Sequence, residues 1–150
     1  MKDLRITPIR NGTVIDHIRP GMALRVLKML ELNGDKKAIS IAMHAHSKKE
    51  GYKDIVKIED KELKPREVNR VAIVSPDSTI NIIRDYQVVN KYKVTMPEVI
   101  EGIVKCENLN CITNQREPVE SKMIRTSDEP PAFRCFYCGR YQREMDKHII

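Results

Sequence analysis

Cys106-Glu107-Asn108-Leu109-Asn110-Cys111 and, further on, Cys135-Phe136-Tyr137-Cys138 hold all four cysteines of the 150-residue chain, with 23 residues between the two pairs. Two short loops that each present two thiolates suit a tetrahedral four-sulfur zinc site. No cysteine is left over, so the shell has no open position for water, and a closed shell points to a structural ion rather than a catalytic one. Tyr137 and Gly139 fit a metal knuckle, whose turn lets backbone N–H groups aim at the thiolates. Two disulfides would also use every cysteine. No secretory segment opens the sequence, however, and thiols are kept reduced inside cells. A thiol-oxidoreductase role for Cys135-x-x-Cys138 lacks the helix and sheet pattern that should follow such a motif.

Working outward from the cysteines, Met96-Pro97-Glu98 reads as a boundary, because proline biases its predecessor away from helix. This divides the chain into domains 1–97 and 98–150. A segment of about fifty residues has a thin core and usually needs a metal or a partner to stay folded, which the zinc would supply. Residues 98–104, with Val99, Ile100, Ile103 and Val104, read as a short apolar linker through which the two domains touch.

The first domain alternates strand and helix periods. Leu4-Arg5-Ile6-Thr7 opens as a strand, and Gly12-Thr13-Val14-Ile15-Asp16-His17-Ile18 follows as a turn and a second extended stretch. After Pro20-Gly21, Ala23, Val26, Leu27 and Leu30 follow helical spacing up to a stop at Asn33-Gly34. Residues 38–43 and 54–59 read as strands joined by a polar hairpin loop through Ser47 and Gly51. A second helix starts at Lys64-Pro65, carries Val68, Val71 and Ala72 inward, and stops before Pro76. Residues 79–83 and 86–91 form a last strand pair around Arg84-Asp85. The expected fold class is therefore α+β: a ferredoxin-like antiparallel sheet with two helices on one face, followed by a small all-β zinc domain.

Composition narrows the function. There is no run of eighteen apolar residues, so no membrane role is expected and the location should be cytoplasmic. Lys and Arg number 27 against 21 Asp and Glu, a net charge of +6 that favours anionic ligands. A zinc-ribbon nucleic-acid binder could use Arg134, Arg140 and Arg143. Yet aromatic residues are only 5% of the chain and the basic residues form no dominant block, which argues against nucleic acid as a partner. No glycine-rich phosphate loop is present. His44 and His46 have no metal partner within sequence reach and read as surface residues.

Four segments in one order, Gly12 to Ile18, Lys53-Asp54-Ile55-Val56-Lys57-Ile58-Glu59, Thr79-Ile80-Asn81 with Tyr86-Gln87-Val88-Val89, and the cysteine quartet, span almost the whole chain. Together they resemble the regulatory chain of aspartate carbamoyltransferase, an enzyme of pyrimidine biosynthesis whose catalytic and regulatory subunits are separate polypeptides. The resemblance implies a non-catalytic chain that pairs with a second copy of itself and docks through its zinc domain on catalytic trimers. It also implies CTP and ATP as effectors that share one site. By matching positions, the base would meet Ile9, Val14, Ile55, Ile83, Tyr86 and Val88. The ribose would meet Asp16 and Lys57, and the triphosphate His17, Lys91, Lys53 and Asn81. Lysines on adjacent strands supply cationic donors, and an ionised Asp16 suits sugar hydroxyls. Taken singly, Val14, Ile55, Ile83 and Val88 read as ordinary core, and Asp16-His17 as a turn. Asn108, Asn110 and Arg140 would face the catalytic chain, although an Asn in a knuckle also serves simply to cap a turn. One position departs from the family pattern, Pro8, which removes a backbone donor near the base, and Gly139 replaces an acidic residue found at the matching place in a well-known member. An independent enzyme built on Asp16 and His17 is disfavoured, since neighbours on a regular strand point to opposite faces.

Overall fold

A computed structural model describes residues 8–30, 38–47, 51–116, 119–128 and 131–150. The expected opening strand at Leu4 to Thr7, the helix stop at Asn33-Gly34 and the middle of the hairpin loop lie outside these residues. The chain forms two compact units, Met1–Thr95 and Met96–Ile150.

In the first unit, five strands lie in the order β2-β3-β1-β4-β5, every neighbouring pair antiparallel. They are β1 (Gly12–Ile18), β2 (Ile39–Ser47), β3 (Gly51–Glu59), β4 (Thr79–Arg84) and β5 (Gln87–Lys93), with α1 (Ala23–Met29) after β1 and α2 (Pro65–Val74) after β3. The order of the first four strands is that of a ferredoxin-like sheet, and β5 adds a hairpin at one edge. Period-two alternation divides each strand between two faces. Thr13, Ile15 and Ile18 of β1, Val56 and Ile58 of β3, and Ile80 and Ile82 of β4 are buried, as are Val26 of α1 and Val71 and Ala72 of α2. Each aliphatic side chain so buried contributes about 1.5–3 kcal/mol.

Helix α1 has no acidic residue in its first turn and no side-chain cap of its own. Its cap comes from β3. Asp54 has no exposed surface, and its Oδ2 accepts the N–H groups of Gly21 at 2.8 Å and Ala23 at 3.0 Å. Its Oδ1 accepts the N–H of His44 at 3.0 Å, where β2 takes a φ of 57° and the β2–β3 register shifts. A single buried carboxylate thus ties the helix start to a bulged edge strand. Helix α2 begins at Pro65, where a missing N–H costs nothing, and Glu67 accepts the Lys64 N–H at 3.0 Å. It ends at Val74, one turn closing through the Ser75 N–H to the Val71 carbonyl before Pro76.

The β4–β5 turn sits one residue later than expected. Asp85 and Tyr86 both have positive φ, 49° and 66°, as in the two-residue turns that match strand twist.

The second unit is a four-stranded sheet in the order β6-β7-β8-β9. Its strands are β6 (Val99–Glu101), β7 (Lys122–Asp128), β8 (Pro131–Cys135) and β9 (Tyr141–Gln142). Residues 98–104 are therefore not a linker. Val99 pairs with Ile124 and Ile100 with Met123, and Val104 bridges to Ile149. Ile100, Ile103 and Val104 are buried together with Met123 and Phe133. The apolar residues that looked like a connector form the first strand and part of the core of this small unit.

Candidate metal centre and open sheet face

The loop after β6 carries Cys106 and Cys111, and the end of β8 and the turn beyond it carry Cys135 and Cys138. Their four sulfur atoms lie within 4.8 Å of one another. Cys106 Sγ is 3.7 Å from Cys138 Sγ, and Cys111 Sγ is 3.6 Å from Cys135 Sγ. A disulfide needs about 2.05 Å, so these are not bonded pairs. Four thiolates at about 2.3 Å from a central ion stand roughly 3.8 Å apart, close to these two separations.

Three of the thiols are buried and Cys138 is exposed. Burial pushes the Cys106 thiol up to about 12 and raises Cys135 as well. At Cys138 the upward effect of burial is outweighed by the backbone N–H of Arg140 and the Asn108 side chain, which hold it at about 7. Backbone donors of Tyr137 and Cys138 likewise favour the Cys135 thiolate, as the knuckle reading expects. A cation at the centre is the natural counter-charge for four thiolates drawn so close.

Outer contacts hold the loops. Thr113 Oγ1 donates to Cys111 Sγ at 3.3 Å and Gln142 Nε2 to Cys106 Sγ at 3.6 Å. Asn114 Nδ2 donates to the Cys106 carbonyl at 2.9 Å and the Asn108 carbonyl at 2.7 Å. Asn108 Oδ1 accepts the Asn110 N–H at 3.0 Å, so this side chain serves the loop itself. Asn110 and Arg140 are exposed. Gly139 has a φ of 78°, a left-handed turn conformation that favours glycine, and open space where a Cβ would stand.

In the first unit the sheet face opposite the buried residues collects most of the other expected residues. Lys57, Val14, Asn81 and Lys91 stand in direct register on β3, β1, β4 and β5. Asp16 lies opposite Thr79. Lys53 Nζ is 3.0 Å from Asp16 Oδ1, and Ile55 lies between Lys53 and Lys57 on the same side of β3. Ile83 and Val88 pair directly in the next row beside Gly12. Val14 and Ile55 are half-buried and Val88 is exposed, so the ordinary-core reading fails for these three, whereas Ile83 is buried as that reading expects; Lys57 is half-buried. Asn81 Nδ2 donates to the Val14 carbonyl at 3.3 Å, and burial lowers the Lys57 pKa. Ile9 is buried ahead of β1, and its neighbour Arg10 accepts the Tyr86 N–H at 2.9 Å. Tyr86 itself is exposed in the β4–β5 turn.

His17 corrects one expectation. The β1–β3 register shifts between Ile15 and Ile18, and His17 takes a φ of 56°. At this bulge the strict alternation of faces lapses. The imidazole Nδ1 comes within 3.2 Å of Thr79 Oγ1 and 4.0 Å of Asp16 Oδ2. Asp16 and His17 therefore act on the same side.

His44 and His46 are exposed, their rings against Tyr52. Thr79, Thr113, Asn114 and Gln142 escaped the sequence reading. Thr79 joins Asp16 only through strand register, and Gln142 is 36 residues from Cys106, so neither carries a local signal.

A ferredoxin-like unit with an open face rich in lysine, joined in one chain to a closed four-thiolate module, defines a two-domain metal-binding chain whose metal centre has no position for a substrate. The chain belongs to the family of aspartate carbamoyltransferase regulatory chains, which are non-catalytic subunits. The family's allosteric domain matches residues 4–95 and its metal binding domain residues 98–148. The chain is 54% identical to the aspartate carbamoyltransferase regulatory chain of Pyrobaculum arsenaticum over 147 residues, 97% of each chain. It is 51% identical to that of Methanothrix thermoacetophila over 140 residues, 93% of this chain and 91% of the relative. With the regulatory chain of Pyrococcus abyssi the identity is 50% over 150 residues, 97% of each. Nothing in this comparison supports a nucleic-acid binder.

Proposed function

We propose that the first unit binds CTP and ATP at one site on the open sheet face, that zinc fills the four-thiolate centre, and that the second unit links this chain to catalytic trimers of aspartate carbamoyltransferase. The chain would then adjust pyrimidine biosynthesis as a cytoplasmic regulatory subunit, paired with a second copy of itself. The observation that carries the effector reading is the row Lys57, Val14, Asn81 and Lys91, in register across four strands. It sets two cations on either side of an apolar and an amide residue, which suits a ligand with a flat base at one end and a multiply charged tail at the other. Ile83, Val88 and Tyr86 supply the base wall, with Ile9 and Ile55 beside it. Asp16 and Lys57 take the ribose, and His17, Lys53, Asn81 and Lys91 the phosphates. The Pro8 carbonyl is left as an acceptor, which suits the exocyclic amine that adenine and cytosine share.

For the metal, four sulfurs and no oxygen or nitrogen ligand favour zinc over harder cations. Elemental analysis of natively purified protein should give one zinc per chain, and its absence would count against this assignment. Asn110 and Arg140, with the backbone of the Asn108 loop, form the surface proposed to meet the catalytic chain. Calorimetry with CTP and ATP tests the effector site: binding without turnover is expected, and heat from neither nucleotide would refute it.

A further inference from the structure

The proposed base wall ends in a turn held by polar contacts. Asp85 and Tyr86 are its two central residues, closed by the pairing of Arg84 with Gln87, and both lie in the left-handed region. That conformation is costly for a residue as bulky as Tyr86, and it persists only where the surroundings impose it. Apolar packing does not impose it here. Tyr86 is 66% exposed, and between the turn and the loop after β3 lies a cavity of about 390 Å³ lined by polar and charged side chains, Asn11, Asp60 and Asp85 among them.

The segment ahead of β1 supplies the hold. In a two-residue turn the central N–H groups take no part in the ladder between the flanking strands and need other acceptors. Both find one in consecutive residues: Asn11 Oδ1 accepts the Asp85 N–H at 3.2 Å, and the Arg10 carbonyl accepts the Tyr86 N–H at 2.9 Å. The Asn11 carbonyl accepts the Asp60 N–H at 2.9 Å, so the same residue is anchored to the end of β3. Arg84 adds two bonds to Glu62, at 2.8 and 2.9 Å, which tie the end of β4 to the same loop. The ion pair of Arg10 with Asp85, at 3.6 Å and well exposed on both sides, contributes little. The Asn11 amide is thus the side chain whose removal would release the turn.

Resting on the proposed effector site, we infer that Asn11 is a positioning residue of that site: it touches no ligand and acts through Tyr86, fixing the turn that presents the tyrosine to the base. The test is calorimetry with CTP and ATP on the full-length, metal-loaded chain. Asn11→Ala should weaken both nucleotides about two- to tenfold, the range of one neutral hydrogen bond, and Asn11→Asp, which keeps the acceptor oxygen, should retain most of the affinity. A merely structural role would weaken binding whichever residue faces the base, so the deciding readout is a double-mutant cycle. With Tyr86→Ala already in place, Asn11→Ala should cause no further loss. With Lys91→Ala in place, at the far end of the site, the two losses should add. No loss in Asn11→Ala, or a full further loss on the Tyr86→Ala background, would overturn the assignment of Asn11 while leaving the effector site standing. Failure of the unaltered chain to bind either nucleotide would overturn both.

Discussion

Asp54 is fully buried, and its two oxygens accept three backbone N–H groups from two different elements. Charge-assisted bonds of this kind are the strong ones, and removing the acceptor strands buried donors. Asp54→Ala is therefore expected to cost about 3 kcal/mol or more, read as a lowered midpoint in denaturant, with Asp54→Asn costing less because one acceptor oxygen survives. Gly12 makes a second such demand. Its φ is 143°, and a Cβ would stand 2.1 Å from the Ile58 carbonyl oxygen. Gly12→Ala should cost on the order of 3 kcal/mol, whereas Gly139→Ala, at a φ of 78° in open space, should cost about 1–2 kcal/mol. Equal effects of the two glycine substitutions in urea unfolding would contradict this. On the open face, Lys91→Ala should weaken triphosphate more than nucleoside in calorimetry, since it removes a cation and leaves the base wall intact. Equal losses would place Lys91 elsewhere.

Among the elements, the metal loops are the ones whose folding is expected to depend on a bound ion. Structural zinc sites contribute on the order of 10 kcal/mol of apparent binding energy, and the small sheet has one buried phenylalanine and few large apolar residues besides. Chelation should therefore unfold residues 96–150 first. Hydrogen exchange should rise there while β1 to β5 stay protected. Protection lost uniformly along the chain would contradict this independence. Most elements could be read from the sequence because their periods are strong: β1, β3, α2 and the β4–β5 pair all alternate or repeat cleanly. Three features could not be read in this way. Val99, Ile100, Ile103 and Val104 are apolar in a linker or in a strand alike, and only pairing with β7 decides between them. The bulge at His17 reverses a side chain without any local glycine or proline to announce it. The cap of α1 comes from Asp54, more than thirty residues away, so no residue next to the helix start announces it. The metal centre was the most legible site because spacing alone brings each cysteine pair together. The proposed nucleotide face needed the family resemblance, since each of its residues alone looks like ordinary strand.

At the scale of the whole chain, the proposed function divides two tasks between the two compact units. Cys135→Ser removes one of four thiolates and should abolish assembly with catalytic trimers, while nucleotide binding by the first unit stays largely intact. Sedimentation together with calorimetry on this variant checks both halves of that expectation. On the proposed function the regulatory effect should require both units, and couplings between distant sites are typically about 1–3 kcal/mol, small enough for one altered contact to erase. The central claim is that nucleotide on the open sheet face alters catalysis by a partner chain. Its most direct test is to assemble catalytic trimers with the unaltered chain or with Lys91→Ala and to record aspartate saturation curves with and without CTP and ATP. The expected result is normal assembly in both cases, with a nucleotide-dependent shift in half-saturation for the unaltered chain that is largely lost in Lys91→Ala. An equal shift with both chains, or no shift with either, would contradict the account.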